Sequence, residues 1–144
     1  MATINQLQDE LVNDFSLFDD WMGKYEHLIE FGKSLPLINE EYKTEDNEVK
    51  GCQAKVWLHT EGKDGKVFFT ADSNAIITKG IIGLLVHILS GQTAEDIINN
   101  ELYFIDEIGL KEHLSPTRSN GLVLMVKQMK MYALAYSIKQ THKL

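Results

Sequence analysis

The stretch of residues 76–89 constrains the fold most, because it is almost continuously apolar. Its apolar residues fall all round a helix rather than along one stripe, which is typical of a helix buried on every side. We predict that Asp72 or Ser73 caps this helix and that Gly91 closes it. The run is too short, and too interrupted by Lys79, to span a bilayer. The other elements are therefore expected to pack around this central helix.

Two helices are predicted before the first proline. Thr3 can cap a helix in which apolar residues recur every three or four positions as far as Phe15. The acids at 19–20 suit the start of a second helix, which must end before Pro36. Both apolar stripes are expected to pack into the core.

The middle of the chain has the pattern of a β-hairpin. Strands are predicted at about 55–61 and 66–71, on either side of a Gly-Lys-Asp-Gly loop at 62–65. A short strand at 48–50 would add a third member. These contiguous strands predict a small antiparallel sheet.

The last third is predicted to be largely helical. Thr93 begins a capping-box-like sequence for a short helix, whereas 103–108 fits a brief strand or an irregular connector. Ser115 and Pro116 have the pattern of a cap followed by a first-turn proline, opening a last helix of about 25 residues, roughly 38 Å. We predict an α+β fold: an antiparallel sheet of about three strands, helices on one side, and a long C-terminal helix in a single domain of residues 1–144.

Charge limits the partners that the chain can recognise. The net charge of −7 argues against nucleic acid, whose binding depends on Lys and Arg that neutralise phosphates. Residues 1–50 alone carry a net charge of −8, which could steer a basic partner surface. Residues 1–20 mix apolar and acidic side chains, so we expect no signal peptide. Together with one unpaired thiol, this predicts a reducing cytosol.

Cys52 is the only cysteine of the chain, so neither an internal disulfide nor a cysteine metal cage is possible. Gly51 before it permits a tight turn. Lys50 and Lys55 flank it, and a nearby ammonium favours the reactive thiolate. Free cysteines are also often buried and inert. The local sequence therefore leaves both a reactive and an inert Cys52 open.

Other chemistries fit the composition poorly. An iron–sulfur scaffold normally supplies several thiolates, and this chain has one. Its five histidines have no metal-ligand spacing, and no glycine-rich phosphate loop is present. A cysteine hydrolase needs a positioned base, which no local pattern indicates. We expect no metal site.

The residues around Cys52 resemble the cysteine motif of the SufE family, whose members accept sulfur from cysteine desulfurases. The motif here is Lys50-Gly51-Cys52-Gln53-Ala54-Lys55-Val56-Trp57. Further similarities follow in the family's order from about residue 10 to about residue 138, at Leu35-Pro36, Ala71-Asp72-Ser73, Thr78-Lys79-Gly80 and the block from His113 to Leu122. Each alone is a weak signal, and together they are specific.

The resemblance implies that Cys52 takes a persulfide sulfur from a SufS-like, pyridoxal-phosphate-dependent cysteine desulfurase, stimulates that enzyme, and passes the sulfur to a SufBCD-like iron–sulfur scaffold. The cofactor belongs to the partner, so this chain is expected to bind none. It would be a cytoplasmic sulfur-transfer partner rather than a stand-alone enzyme, a monomer or weak dimer without membrane contacts. Two alternatives stay open: a module that activates a desulfurase allosterically, and a cysteine redox sensor.

Further site residues follow from the same resemblance. Lys50, Gly51, Gln53, Asp72 and Arg118 are assigned to the loop and to partner docking. Asp72 could equally be a plain helix cap.

Arg118, the only arginine, falls at the first turn of the last helix, where the helix dipole disfavours a cation. It therefore needs either a carboxylate within the fold or an acidic group on a partner, and one guanidinium can serve both. The chain departs from the family at Ala54, where a serine is usual, and at Asn74, where an aspartate is frequent.

Overall fold

A computed structural model describes residues 2–142, and their architecture is the predicted α+β class. Met1, Lys143 and Leu144 lie outside the described residues. In chain order the elements are α1 (Ile4–Ser16), α2 (Trp21–Lys33), β1 (Val56–Lys63), β2 (Lys66–Ser73), α3 (Ile76–Leu89), β3 (Gln92–Thr93), α4 (Ala94–Asn99), α5 (Phe104–Ile108), α6 (Leu110–His113) and α7 (Pro116–His142), with 3₁₀ turns at Glu40–Tyr42 and Glu45–Asn47.

Helix α3 is the centre of the core, as its composition predicts. Buried side chains lie all round it, among them Ile81, Ile82, Leu84, Leu85, Ile88 and Leu89. The predicted cap is wrong, however. The N-cap is Ala75, which has no capping side chain, and Asp72 and Ser73 end β2 instead. The Ser73 hydroxyl accepts a bond from the Ala75 N–H (3.3 Å) and donates one to the Lys55 carbonyl (2.8 Å). It therefore ties the start of β1 to the turn before α3.

Helices α2 and α3 approach each other unusually closely because glycines line their crossing. A Cβ added to Gly80 would lie 2.5 Å from the Leu28 carbonyl oxygen, and one on Gly83 would lie 2.7 Å from the Phe31 carbonyl oxygen. On the facing helix, a Cβ on Gly32 would lie 3.0 Å from the Gly80 nitrogen. Both backbones thus occupy space that any side chain would need.

The sheet has the order β1-β2-β3 with antiparallel pairing throughout. The loop between β1 and β2 is shorter than predicted and consists only of Asp64 and Gly65. Both residues have positive φ (54° and 80°), as a type I′ hairpin turn requires. The predicted third strand at 48–50 is wrong. Glu48 forms only an isolated bridge with Trp57, and the third strand is the short β3 after α3.

The two faces of the sheet differ in character. Val56, Leu58, Val67, Phe69 and Ala71 point into the core. The opposite face is partly covered by the 3₁₀ segment, where the Tyr42 ring stacks on His59 (3.7 Å between centroids) and the Lys43 ammonium lies over Trp57 (5.4 Å). The helical core therefore lies on one side of the sheet.

The C-terminal third is helical, including the stretch 103–108 that its sequence leaves undecided. Thr93 caps α4 by accepting a bond from the Asp96 N–H (3.1 Å), as predicted. Ser115 accepts from the Arg118 N–H (3.3 Å), which places it as the cap of α7. Farther along α7, Tyr136 packs on Gly62 of the hairpin. Helix α7 thus extends from one end of β1 to the other.

The close crossing of α2 and α3 gives a stability prediction. Gly80→Ala should lower the free energy of unfolding by about 2–3 kcal/mol, because a methyl group there meets backbone that cannot move aside cheaply. Gly121→Ala is the matched control in α7, where a Cβ would make only ordinary contacts, the nearest at 3.6 Å. The free energy of unfolding of this control should rise by up to about 1 kcal/mol, because alanine has a higher helix propensity than glycine. Urea unfolding measures both, and equal stabilities would contradict the close-packing account.

Candidate functional site

The loop that carries Cys52 is fastened at both ends. The Val49 N–H donates to the Val56 carbonyl (2.8 Å), which closes the loop at its neck. On the C-terminal side, the Lys55 N–H donates to the Asn74 side-chain oxygen (3.1 Å). Gly51 has φ of +89°, so the turn uses the left-handed conformation that the sequence suggests. The thiol is therefore presented by a tight loop at the start of β1.

Helix α7 covers this loop from the side. Cys52 is half-buried, and its Sγ lies 3.9 Å from the Gly121 carbonyl oxygen. Gly121 lies against the sulfur, and a Cβ there would be in ordinary van der Waals contact with Sγ, at 3.6 Å. Leu124, one turn along, lies against Gly51, since a Cβ on Gly51 would be 2.8 Å from its Cδ1. Two residues of α7 therefore hold the loop in place.

Burial raises the pKa of the Cys52 thiol above its ordinary value. The prediction that Lys50 and Lys55 favour the thiolate is therefore wrong for the free protein. The Nζ atoms of both lysines are close instead to the Glu48 carboxylate, at 3.9 and 3.8 Å. The Lys50 ammonium also donates to the Glu45 carbonyl (2.8 Å). Their charge is thus partly neutralised by Glu48, an acid that no sequence pattern singles out.

Cys52 opens on a cavity of about 490 Å³ between its loop, the start of α3 and the start of α7. The lining residues are Cys52, Gln53, Ala54, Ala75, Thr78, Ser115, Thr117, Arg118, Gly121 and Met125. The cavity next to the thiol is therefore lined by both polar and apolar side chains. The cavity can accept a small polar group next to the sulfur.

Arg118 shares that cavity with Cys52 and Gln53. Within residues 2–142, no carboxylate lies within ion-pair distance of its guanidinium. The alternative of an acid partner inside the fold therefore finds no support in the part of the chain that the structure describes. The exposed guanidinium is instead available at the rim of the cavity.

Lys50 and Gly51 lie on the other side of the loop. They line a smaller hollow of about 260 Å³ formed by residues 48–56, which Cys52 and Gln53 also border. The structure thus divides the predicted loop residues between two faces, with the thiol common to both.

Asp72 is not brought to the thiol. Its carboxylate forms ion pairs with Lys43 (2.8 Å) and Lys79 (3.2 Å) on the outer side of the sheet. Burial alone would raise the pKa of Asp72, but the bonds from Lys43, the Ser73 N–H and Lys79 lower it overall. The bond to Asp72, followed by that to Glu40, raises the pKa of Lys43. Asp72 therefore joins the 3₁₀ segment, β2 and α3.

Sequence reasoning missed several residues that shape the site. Ser115, Thr117, Gly121 and Leu124 all come from the first turns of α7 or its cap. The first three lie in the block from His113 to Leu122 that carries the family similarity. Nothing in the local pattern indicates that this block contacts the cysteine loop. The contact is tertiary and has no signal in a single sequence.

Comparisons with known proteins show which family this chain resembles. The model of the SufE family, described as an Fe-S metabolism associated domain, matches residues 9–133. An uncharacterized SufE-like protein of Rhizobium meliloti is 37% identical over 87% of this chain and 93% of its own length. SufE-like protein 1 of Arabidopsis thaliana, chloroplastic/mitochondrial, is 37% identical over 90% of this chain, which spans 35% of that longer protein.

A solved structure shares the fold. The solution structure of a hypothetical protein from Thermus thermophilus superposes with a TM-score of 0.75 at 21% identity, covering 90% of this chain and 94% of its own. The match to the family model over most of the chain indicates a role in Fe–S metabolism. The chain belongs to the SufE family.

Two features are absent from the described residues. No helix among residues 2–142 combines the length and apolar character of a membrane span. The same residues contain no cluster of three or more His, Cys, Asp and Glu side chains arranged to hold a metal ion.

The shelter of the Cys52 loop gives a prediction on reactivity. A bulky maleimide should alkylate Cys52 slowly, with a rate that rises with pH around a midpoint above that of an ordinary thiol, because burial raises the pKa and limits access. Leu124→Ala should speed alkylation several-fold and lower that midpoint, since it removes the side chain that lies on Gly51.

Val123→Ala is the matched control for that experiment. Val123 is the neighbouring residue on α7, and its side chain points outward, 50% exposed. Its truncation should leave the alkylation rate unchanged. Rapid, complete alkylation of the unaltered chain would rule out a sheltered thiol.

Proposed function

We propose that this chain is a sulfur acceptor that receives a persulfide sulfur on Cys52. The donor is a SufS-like, pyridoxal-phosphate-dependent cysteine desulfurase, which the chain stimulates by removing its product sulfur. The sulfur then passes to a SufBCD-like iron–sulfur scaffold. The observation that carries the proposal is a lone thiol at the mouth of a cavity, next to an arginine with no acid partner among the described residues.

The transfer step needs no group beyond the thiol and its partner. The Cys52 thiolate attacks the outer sulfur of the donor persulfide, a new S–S bond forms on Cys52, and the donor's S–S bond breaks. The donor cysteine leaves as a thiolate, and the proton of the persulfide stays on the transferred sulfur. Sulfur oxidation states are exchanged without an outside oxidant, as in thiol–disulfide exchange. One cysteine therefore suffices in this chain.

The raised pKa of Cys52 suits the resting state of such a carrier. A buried thiol reacts slowly with oxidants, because the thiolate is the form that they attack. Transfer needs the opposite condition, an extended and ionised sulfur. The Val49–Val56 hydrogen bond closes the neck of the loop, so the loop can extend from the cavity without unfolding β1. Extension separates Gly51 from Leu124. Docking of the donor supplies the contacts that favour extension.

Arg118 is proposed to bind an acidic group of the donor at the cavity rim. A guanidinium binds carboxylates in bidentate geometry, and no acid of residues 2–142 occupies it. Gln53, beside the thiol, adds a hydrogen-bonding amide. We place the reaction in a reducing compartment, because Cys52 must be a free thiol to accept sulfur, and thiols stay reduced there.

The decisive experiment follows Cys52 through one transfer. After incubation with a cysteine desulfurase and cysteine, mass spectrometry should find Cys52 heavier by about 32 Da, one sulfur atom. Cys52→Ser should fold normally, gain no mass, and lose stimulation of the desulfurase, since a hydroxyl cannot carry persulfide sulfur. Full stimulation by the serine variant would favour an allosteric activator, and oxidation without sulfur gain would favour a redox sensor.

A second prediction separates docking from folding at Arg118. Arg118→Ala should reduce stimulation of the desulfurase at least tenfold while changing the free energy of unfolding by about 1 kcal/mol or less, because the exposed guanidinium pairs with no described carboxylate. Arg118→Lys should recover only part of the activity. Lys111→Ala, which removes a nearby exposed charge, is the control and should behave like the unaltered chain. If Arg118→Ala lowered the free energy of unfolding by several kcal/mol, Arg118 would be a structural ion instead.

A further inference from the structure

Helix α7 carries a second apolar surface, on the side away from the core. Its buried side consists of residues such as Leu122, Met125, Met129 and Ala133. The opposite side carries an exposed row, which we call the outer stripe and which consists of Val123, Lys127, Met131, Leu134 and Ile138. The four apolar members are each about half exposed, at 50%, 53%, 49% and 50%.

The spacing of the outer stripe is that of a helix-packing seam. Its members follow one another at intervals of four, four, three and four residues, so they lie in one row along the helix. The last three steps match the a and d positions of a heptad. Scattered exposed apolar residues are ordinary, but an aligned row indicates a surface that another helix can cover.

Charge indicates what kind of helix that is. No aspartate or glutamate occurs after Glu112, although the chain as a whole has a net charge of −7. Lys127 lies within the stripe and is exposed, and Lys139 is exposed near its end. The stripe is therefore apolar and cationic, complementary to a helix whose own apolar row is flanked by acids.

A second copy of this chain and a membrane fit the stripe less well. Two outer stripes packed together would bring cationic faces into contact, which disfavours the pairing. A narrow stripe that contains a lysine offers little apolar surface to lipid.

We propose that the outer stripe of α7 is a docking surface for an acidic amphipathic helix of a partner protein. Val123 adjoins Leu124, which lies on Gly51, so a helix seated on the stripe ends beside the Cys52 loop. The stripe thus gives a partner an attachment that leaves the thiol and its cavity free. Only the identity of that partner, a protein that exchanges sulfur with Cys52, rests on the proposed function.

The test uses a synthetic peptide and the full chain. The peptide has about three heptads, with leucine at a and d and glutamate at e and g, and a second peptide carries lysine in place of glutamate. Fluorescence anisotropy should show that the glutamate peptide binds the chain. Leu134→Glu and Met131→Glu should each weaken that binding at least tenfold. Leu17→Glu, at an exposed leucine remote in sequence, is the matched control and should bind as the unaltered chain does.

A charge swap sharpens the result. Lys127→Glu should weaken binding of the glutamate peptide at least tenfold and strengthen binding of the lysine peptide, because it reverses the charge of the stripe. Absence of binding, or binding that the stripe variants leave unchanged, would overturn the proposal. A dimer in sedimentation that Leu134→Glu converts to monomer would assign the stripe to a second copy. Binding to phosphatidylserine vesicles that Leu134→Glu abolishes would assign it to membranes.

The result of the peptide-binding experiment does not depend on the sulfur chemistry. Cys52→Ser should bind the glutamate peptide as the unaltered chain does, because the stripe does not include the thiol. Leu134→Glu should still gain a sulfur on Cys52 at high desulfurase concentration. If the docking proposal fails, the sulfur-acceptor proposal therefore still stands. If the sulfur-acceptor proposal fails, the docking proposal still stands.

Discussion

The close contact between α2 and α3 sets the position of everything around the site. At the crossing, glycines on both helices let backbone meet backbone, so dispersion contacts replace side-chain packing over a short distance. This draws α3 deep into the core, where the inner face of the sheet and α7 pack against it. The start of α3 in turn forms one wall of the cavity, through Ala75 and Thr78. A wider crossing would displace that wall from the thiol.

Local physics explains why much of this fold could be predicted. Thr3, Thr93 and Ser115 are caps whose side chains bond the next turn, and such bonds depend on residues three positions away. The Asp64-Gly65 turn is equally local, since the two residues supply the positive φ that a tight hairpin demands. The burial of the helix at 76–89 can be predicted because apolar residues lie all round it. Each of these features requires only a short window of sequence.

The errors lie where distant segments meet. The third strand is the two-residue β3, which pairs with Lys66 and Val67 after a whole helix intervenes, so no hairpin pattern marks it. Ser73 looks like a helix cap but bonds Lys55 across the sheet. For the site, the motif identified Cys52, whereas the pKa of its thiol depends on burial by α7, about seventy residues later in the chain. Flanking lysines could not reveal that, because they face Glu48.

The packing of Cys52 against Gly121 has a consequence for selectivity. A reactant that needs the loop extended meets only the fraction of molecules in which it is extended, and its apparent dissociation constant is the intrinsic constant divided by that fraction. An open fraction of about 1% weakens binding about a hundredfold. If the chain accepts sulfur as proposed, a protein donor would regain this loss through contacts elsewhere on its surface, whereas a peroxide or another small oxidant has no further surface with which to do so. Shelter of one sulfur atom would then act as a filter that favours large partners over small reagents.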